Sequence, residues 1–328
     1  MRLPTPITAA IIAGLGLILS PAESMAQSEY PNKTVRLIVG FAPGGSTDIV
    51  GRIVAQRLGE RLGQSVIVEN RAGAGGTIGA DATAKAAPDG YTLTLGTTST
   101  HAIAAGAYSK LPYDPVADFT QISLVAITPY LLVVNPQVKA NSLAEFVTLA
   151  KAQPGKLNYA SAGSGTATHL AMEMLKDAAG IDLLHVPYKG NAPADVAILG
   201  GEVQAVFGSM PALLQNTKAN NVRPLAVGTA ARSPALPQVP TVAEQGYPGF
   251  EAALWLGIMG PANLPKAVVD RLHKEIVAIV ATPEFKAAMD ANGAEPIASK
   301  SPDEFRDMLR EQVVKYVKIT KAVGIKLD

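Results

Sequence analysis

The sequence predicts an α/β fold built from parallel sheets and divided into two domains, on three observations. Apolar runs of strand length alternate with helical patterns along the chain. Two of those runs empty into short turns rich in glycine and hydroxyl side chains that restart with helical spacing, around residues 36–52 and 157–175. A length of 328 residues also exceeds what one core usually supports.

In chain order, the first element is an export signal. Arg2 precedes an apolar stretch over 7–19, then Pro21 and Ser24-Met25-Ala26, which fits cleavage after Ala26. The apolar stretch is shorter than the roughly 18 residues a membrane span needs. Residues 1–26 hold one Arg and one Glu, so the remainder keeps 27 basic and 26 acidic side chains, a net charge of +1. That balance argues against a nucleic-acid partner. The absence of cysteine excludes disulfides and lipid attachment at a thioether. Strands are expected at 35–39, 66–69, 91–95, 131–134, 157–160, 184–186, 203–207, 225–227 and 253–259, with helices between most of them. The helix after Gly45 carries Ile49, Ile53, Val54, Leu58 and Leu62 on one face. Ser142 with Glu145 reads as a capping box, and Ser301 with Glu304 reads as another, with Pro302 at the first helical position.

The first strand-to-helix turn is the most informative. Backbone N–H groups around Gly44, Gly45, Ser46 and Thr47 lack helical partners, and the helix dipole adds partial positive charge where they converge, so the turn suits an anion. The plain alternative is a connection in which Ser46, Thr47 or Asp48 only caps the helix. The second turn, from Leu157 to His169, is a second candidate cradle leading into a helix with Leu170, Met174 and Leu175. Ligands of open α/β sheets sit outside the carboxyl ends of strands, so two domains each presenting such a loop can close on one small molecule. Chain crossings near 126–130 and 227–230 give that clamshell its hinges. They divide the chain into domain 1, residues 27–127 and 229–328, and domain 2, residues 128–228.

Enzyme motifs fail in detail. A G-x-G-x-x-G register starting at Gly73 needs glycine where Ile78 stands, and no G-x-x-x-x-G-K-[ST] loop occurs. The nucleophile elbow G-x-S-x-G fails at Ser164, flanked by Ala162 and Thr166, and at Ser46, followed by Asp48. His101, His169, His185 and His273 show no metal-binding spacing, so no metal is expected. His169 reads as a neutral residue at a helix start and His185 as a plain strand residue.

Several segments in fixed order carry a resemblance. Phe41-Ala-Pro-Gly-Gly-Ser-Thr-Asp48, Val68-Glu-Asn-Arg-Ala-Gly-Ala-Gly-Gly76, Pro88-Asp-Gly-Tyr-Thr-Leu93, Lys110-Leu-Pro-Tyr-Asp114, Asn158-Tyr-Ala-Ser-Ala-Gly-Ser-Gly165 with His169, His185-Val-Pro-Tyr-Lys-Gly190 and Val239-Pro-Thr-Val-Ala-Glu244 closely resemble the Bug family, periplasmic receptors of tripartite tricarboxylate transporters. The resemblance spans nearly the whole chain after the signal. It implies a type II periplasmic binding protein fold, two α/β domains with a ligand cleft between them, and a periplasmic location. It also implies a small carboxylate as ligand and an integral-membrane partner of one large and one small subunit. No cofactor and no catalysis are implied, and a monomer is expected.

Carried onto this chain, the resemblance places the carboxylate against Phe41, Ala42, Pro43, Gly44, Gly45, Ser46 and Thr47. Ser161, Gly163, Ser164, Gly165 and Thr166 supply the opposite wall, with His169 orienting that loop. Thr97, Thr98 and Ser99 add polar contacts and Tyr188 an aromatic face. Where the family often has Asp, this chain has Gly208, which disfavours an amino-acid ligand and leaves room for a larger mono-, di- or aromatic carboxylate. Two other readings stay open: a secreted hydrolase using Ser161 or Ser164 with His169, and a sensor presenting its ligand to a membrane kinase.

Overall fold

The computed structural model describes Met1 and residues 30–328, so residues 2–26 of the expected export signal lie outside the described residues. Val35–Val39 (β1) is paired in parallel on both sides, with Val66–Asn70 (β2) and Thr92–Thr97 (β3). Such a strand is apolar on both faces, and all of β1 except Arg36 is buried. Two helices belong to this part, Ser46–Leu62 (α1) and Thr77–Ala84 (α2). A π-helical turn at Thr98–Ile103 and the short Ala104–Ala107 (α3) follow β3. Phe119–Val134 (β4) follows, a strand of 16 residues.

The next segment is a second α/β unit: Leu143–Ala152 (α4), Asn158–Ser161 (β5), Ala167–Ala179 (α5), Leu184–Pro187 (β6), Asn191–Gly200 (α6), Ala205–Ser209 (β7), Met210–Lys218 (α7) and Arg223–Val227 (β8). The chain returns through Ala253–Pro261 (β9), Lys266–Val280 (α8), Pro283–Ala291 (α9), Glu295–Pro296 (β10) and Pro302–Ala322 (α10). Strand order is β2-β1-β3-β9-β4-β7-β5-β6, with β8 and β10 also on β4.

β4 joins the two parts by changing neighbours. Phe119 to Pro129 pair with β9, whereas Tyr130 to Val134 pair with β7 and, from Leu131, with β8. The handover falls at Pro129, a residue with no ladder donor to give. The chain crosses again after β8, where Gly228 N–H reaches Tyr130 O and Ala252 N–H reaches Gly228 O, each at 2.8 Å. Leu37, Leu93 and Leu256 belong to the larger core and Leu131, Ile198, Val206 and Leu213 to a smaller one. Each such side chain contributes about 1.5–3 kcal/mol on burial.

The strand expected at 131–134 is only the end of β4. Thr120, Gln121, Thr128 and Pro129 interrupt the apolar pattern, but their polar groups are satisfied inside: Thr120 Oγ1 donates to Pro261 O at 2.9 Å, and Thr128 Oγ1 meets Ser209 Oγ at 3.0 Å. Each expected capping box forms only in its serine half, because the glutamate reaches one residue further back: Glu145 Oε2 accepts Asn141 N–H at 2.7 Å and Glu304 accepts Lys300 N–H. Ser142 Oγ accepts Glu145 N–H at 3.2 Å and Ser301 Oγ accepts Glu304 N–H at 3.1 Å. The glycines that imitate a dinucleotide fingerprint serve packing instead, since a Cβ on Gly79 would lie 2.8 Å from Gly40 Cα. Among the described residues, no helix is long and apolar enough to cross a membrane.

Candidate functional site

The loop between β1 and α1 is held from below by a buried carboxylate. Asp48 Oδ2 accepts Gly44 N–H at 2.9 Å and Arg52 Nε–H at 2.9 Å, and Oδ1 accepts from Arg52 Nη2 and Asn70 Nδ2. Asn70 Nδ2 also donates to Phe41 O at 3.0 Å. Burial pushes the Asp48 carboxyl up, but the bonds from Arg52, Gly44 and Asn70 outweigh it and hold the group below the usual carboxylate range. Asp48 therefore reaches back to close the loop rather than capping α1, whose N-cap residue is Gly45.

This arrangement narrows the expected anion cradle. Gly44 N–H is spent on Asp48, Ala42 N–H donates to Lys189 O at 3.3 Å, and Pro43 has no N–H. Among the described residues, no acceptor meets the N–H groups of Gly45, Ser46 or Thr47, the orphan donors of a helix start. Ser46 is 1% exposed and its Oγ has no partner among those residues. Unpaired buried hydroxyls are rare because each forgoes its bonds with water.

Facing this helix start is another that the sequence reading missed. A Cβ built on Gly45 would lie 3.5 Å from Asn191 Cβ and 3.6 Å from the backbone nitrogens of Asn191 and Ala192. The N-termini of α1 and α6 thus meet head to head, and their dipoles place positive potential on the same space. The available signal was Gly190 followed by Pro193, a strand end and a helix-start proline. One turn further along α6, Asp195 is buried with Oδ1 unpartnered, and burial pushes its carboxyl up to about 8.

The second loop is not an open cradle, which corrects its expected role. Gly163 N–H goes to Ser161 Oγ at 3.1 Å, Gly165 N–H to His169 Nδ1 at 3.1 Å, and Thr166 N–H to Gly163 O at 3.2 Å. Thr166 Oγ1 donates to Gly163 O at 2.6 Å. A loop this rich in small polar residues meets most of its own donors, while Ala162, Gly163 and half-buried Ser164 still line the cleft. His169 does orient the loop, through Gly165. Ser161 Oγ, by contrast, lies 2.6 Å from Nε2 of His185, not of His169. Parallel pairing of β5 with β6 sets Tyr159 opposite His185 and brings the serine and histidine together.

His169 and His185 stack at 4.0 Å, with Tyr159 stacked on His185 at 4.9 Å. Burial lowers His169 to about 4 and His185 to about 3, with Lys176 lowering the former and His169 itself the latter. The pair is neutral at physiological pH. Ser161 is fully buried, and among the described residues no carboxylate hydrogen-bonds to His185, so this serine lacks the access and the oriented base of a nucleophile.

Thr97, Thr98 and Ser99 are also spent on structure. Thr97 Oγ1 accepts Thr100 N–H, Thr98 Oγ1 accepts Trp255 N–H at 3.0 Å, and Ser99 Oγ accepts Ala167 N–H at 3.0 Å, capping α5 from the opposite side of the cleft. Gly208 opens no space, because a Cβ there would meet Leu213 Cδ1 at 2.5 Å; the core fills the position. Phe41 and half-buried Tyr188 line a cavity of about 410 Å³ between the two sides, together with Gly73 to Gly76, Tyr108, Ser164 and Lys189; Ser46 and Thr47 do not line it. Among the described residues, no cluster of three His, Asp or Glu fit to hold a metal occurs.

Residues 50–325 match the family described as the tripartite tricarboxylate transporter family receptor. Protein BugT of Bordetella pertussis is 36% identical over 97% of this chain and 98% of its own length. Among solved structures, an R. palustris protein with adipate superposes with a TM-score of 0.88 at 35% identity, covering 91% of this chain and 100% of that one. MatC from Rhodopseudomonas palustris with bound malate gives 0.85 at 30% identity, covering 88% and 99%.

Proposed function

The chain belongs to the tripartite tricarboxylate transporter receptor family, and from that premise we propose that it captures a small carboxylate at the facing N-termini of α1 and α6. The observation that carries this reading is Ser46: a fully buried hydroxyl that meets no partner among the described residues, beside three N–H groups that meet no acceptor among them, opposite a second helix start. A carboxylate placed there satisfies all of them. Backbone capture holds an anion without burying a cation whose desolvation would have to be offset.

The homologous proteins with adipate and with malate support a plain mono- or dicarboxylate, since both of those ligands carry carboxylates and no ammonium group. We place the receptor in the periplasm, exported by the N-terminal signal and acting as a monomer without catalysis. Residues 27–127 with 229–328 form one body and 128–228 the other, with Pro129–Tyr130 and the crossing after Val227 as hinges. Closure around the ligand offers a shape that the large and small membrane subunits of the transporter recognise.

A thermal-shift panel of mono-, di-, tri- and aromatic carboxylates tests the reading. A ligand at about 100 times its Kd adds roughly 2.7 kcal/mol, a shift of about 4 °C for a chain of this size. Amides and esters of any hit should give none, and a panel without a shift above a degree overturns the proposal.

A further inference from the structure

A second cavity, of about 410 Å³, lies between the sheet and α10, and it shares no residue with the cleft between the loops. Its floor is a row across three strands. Glu295 on β10 is the register partner of Ile127 on β4, and Ile127 is in turn the partner of Trp255 on β9. Directly paired residues project from the same face of a sheet, so a carboxylate, an aliphatic group and an indole stand in line. Two strand spacings separate the ends, about 9.5 Å. Met308 and Tyr316 of α10 form the apolar roof.

The charges are uneven along that line. At one edge Lys315 Nζ sits 3.8 Å from Glu251 and 5.8 Å from the Tyr316 ring centroid, so the chain's own ammonium already rests at this rim. Among the described residues, no cation reaches Glu295. We propose that this cavity binds an organic cation with an apolar tail, the ammonium group paired with Glu295 and the tail laid over Ile127 toward Trp255. With Glu251 offset by Lys315, Glu295 leaves the lining one net negative charge, which favours such a ligand over an anion of the same shape. An aromatic tail also gains edge or face contacts with the indole.

Trp255 is the single tryptophan of the chain, so its fluorescence reports on this cavity directly. The full-length protein is titrated with 2-phenylethylammonium and, separately, with 2-phenylethanol, which has the same apolar body and no charge. A saturable change with the cation, about two- to fivefold weaker with the alcohol, is expected, because Glu295 is exposed. Glu295→Gln should weaken the cation by the same factor, whereas Ser46→Ala, which touches only the carboxylate site, should leave it unchanged. No saturable change, equal responses to the two compounds, or an unaffected Glu295→Gln protein overturns the proposal whatever the carboxylate panel shows.

Discussion

Asp48 holds the backbone N–H of Gly44 at 2.9 Å, four residues back along the chain, and so fixes the loop whose next three N–H groups meet no acceptor among the described residues. This bond links the fold to the proposed binding step: the carboxylate that shapes the loop is itself neutralised by Arg52.

Asp48→Asn should therefore weaken both folding and carboxylate binding, with a stability loss of about 1–3 kcal/mol from the broken charge-assisted bonds. The Asp48 carboxyl lies below its ordinary value in the folded protein, so its contribution is present above the unfolded carboxylate range and lost as pH falls through the folded value. Urea unfolding at pH 7 and at pH 3 should show the gap between wild type and variant closing at the lower pH.

Ser46→Ala removes one hydroxyl bond to a charged ligand, worth about 1.5–3 kcal/mol, so calorimetry should give a Kd raised by about 10- to 150-fold. The free protein should lose no stability, because that hydroxyl has no partner among the described residues.

Asp195 carries the opposite pH signature. Its carboxyl is raised to about 8 by burial, so as pH rises from the unfolded value of about 3.9 toward 8 the unfolded state ionises first and the folded state is progressively disfavoured. Asp195→Asn does not titrate. The variant's melting temperature, relative to wild type, should rise steadily between pH 5 and pH 8 and level off above that. A difference independent of pH contradicts the buried neutral acid.

The histidine stack weakens on the acid side. With His169 at about 4 and His185 at about 3 in the folded protein, their contribution is complete above about pH 6.5 and is lost as pH falls toward those values. His185→Gln retains a partner for Ser161 but cannot titrate. Its stability should fall less steeply than that of wild type between pH 6.5 and 4.

Much of this was legible in the sequence where local rules decide the outcome. The turn at Gly44 and Gly45, the strand before it and the serine N-caps at Ser142 and Ser301 follow from residue type and spacing within a few positions. What the sequence hid depends on partners far along the chain. Thr97, Thr98 and Ser99 read as ligand contacts until Trp255 and Ala167 are seen to take two of their hydroxyls. His185 read as a plain strand residue because only the β5–β6 register brings it to Ser161. The start of α6 was overlooked because its importance lies in facing Gly45, a relationship between two halves of the chain. Gly208 misled in the other direction: Leu213 fills the space that its missing side chain leaves.

Gly45→Pro is a cleaner probe than the sequence suggested. Gly45 has φ −80°, within reach of proline, and a Cβ there meets Asn191 at an ordinary 3.5 Å, so neither the φ nor the first ring carbon opposes a substitution that deletes one donor. Carboxylate affinity should fall while circular dichroism is unchanged.

The most direct measurement is a crystal structure of the protein with the tightest-binding carboxylate of the panel. The account predicts a carboxylate oxygen within about 2.7–3.2 Å of the backbone nitrogens of Gly45, Ser46 or Thr47 and of Ser46 Oγ. A carboxylate bound elsewhere, with those groups turned to water, would contradict it.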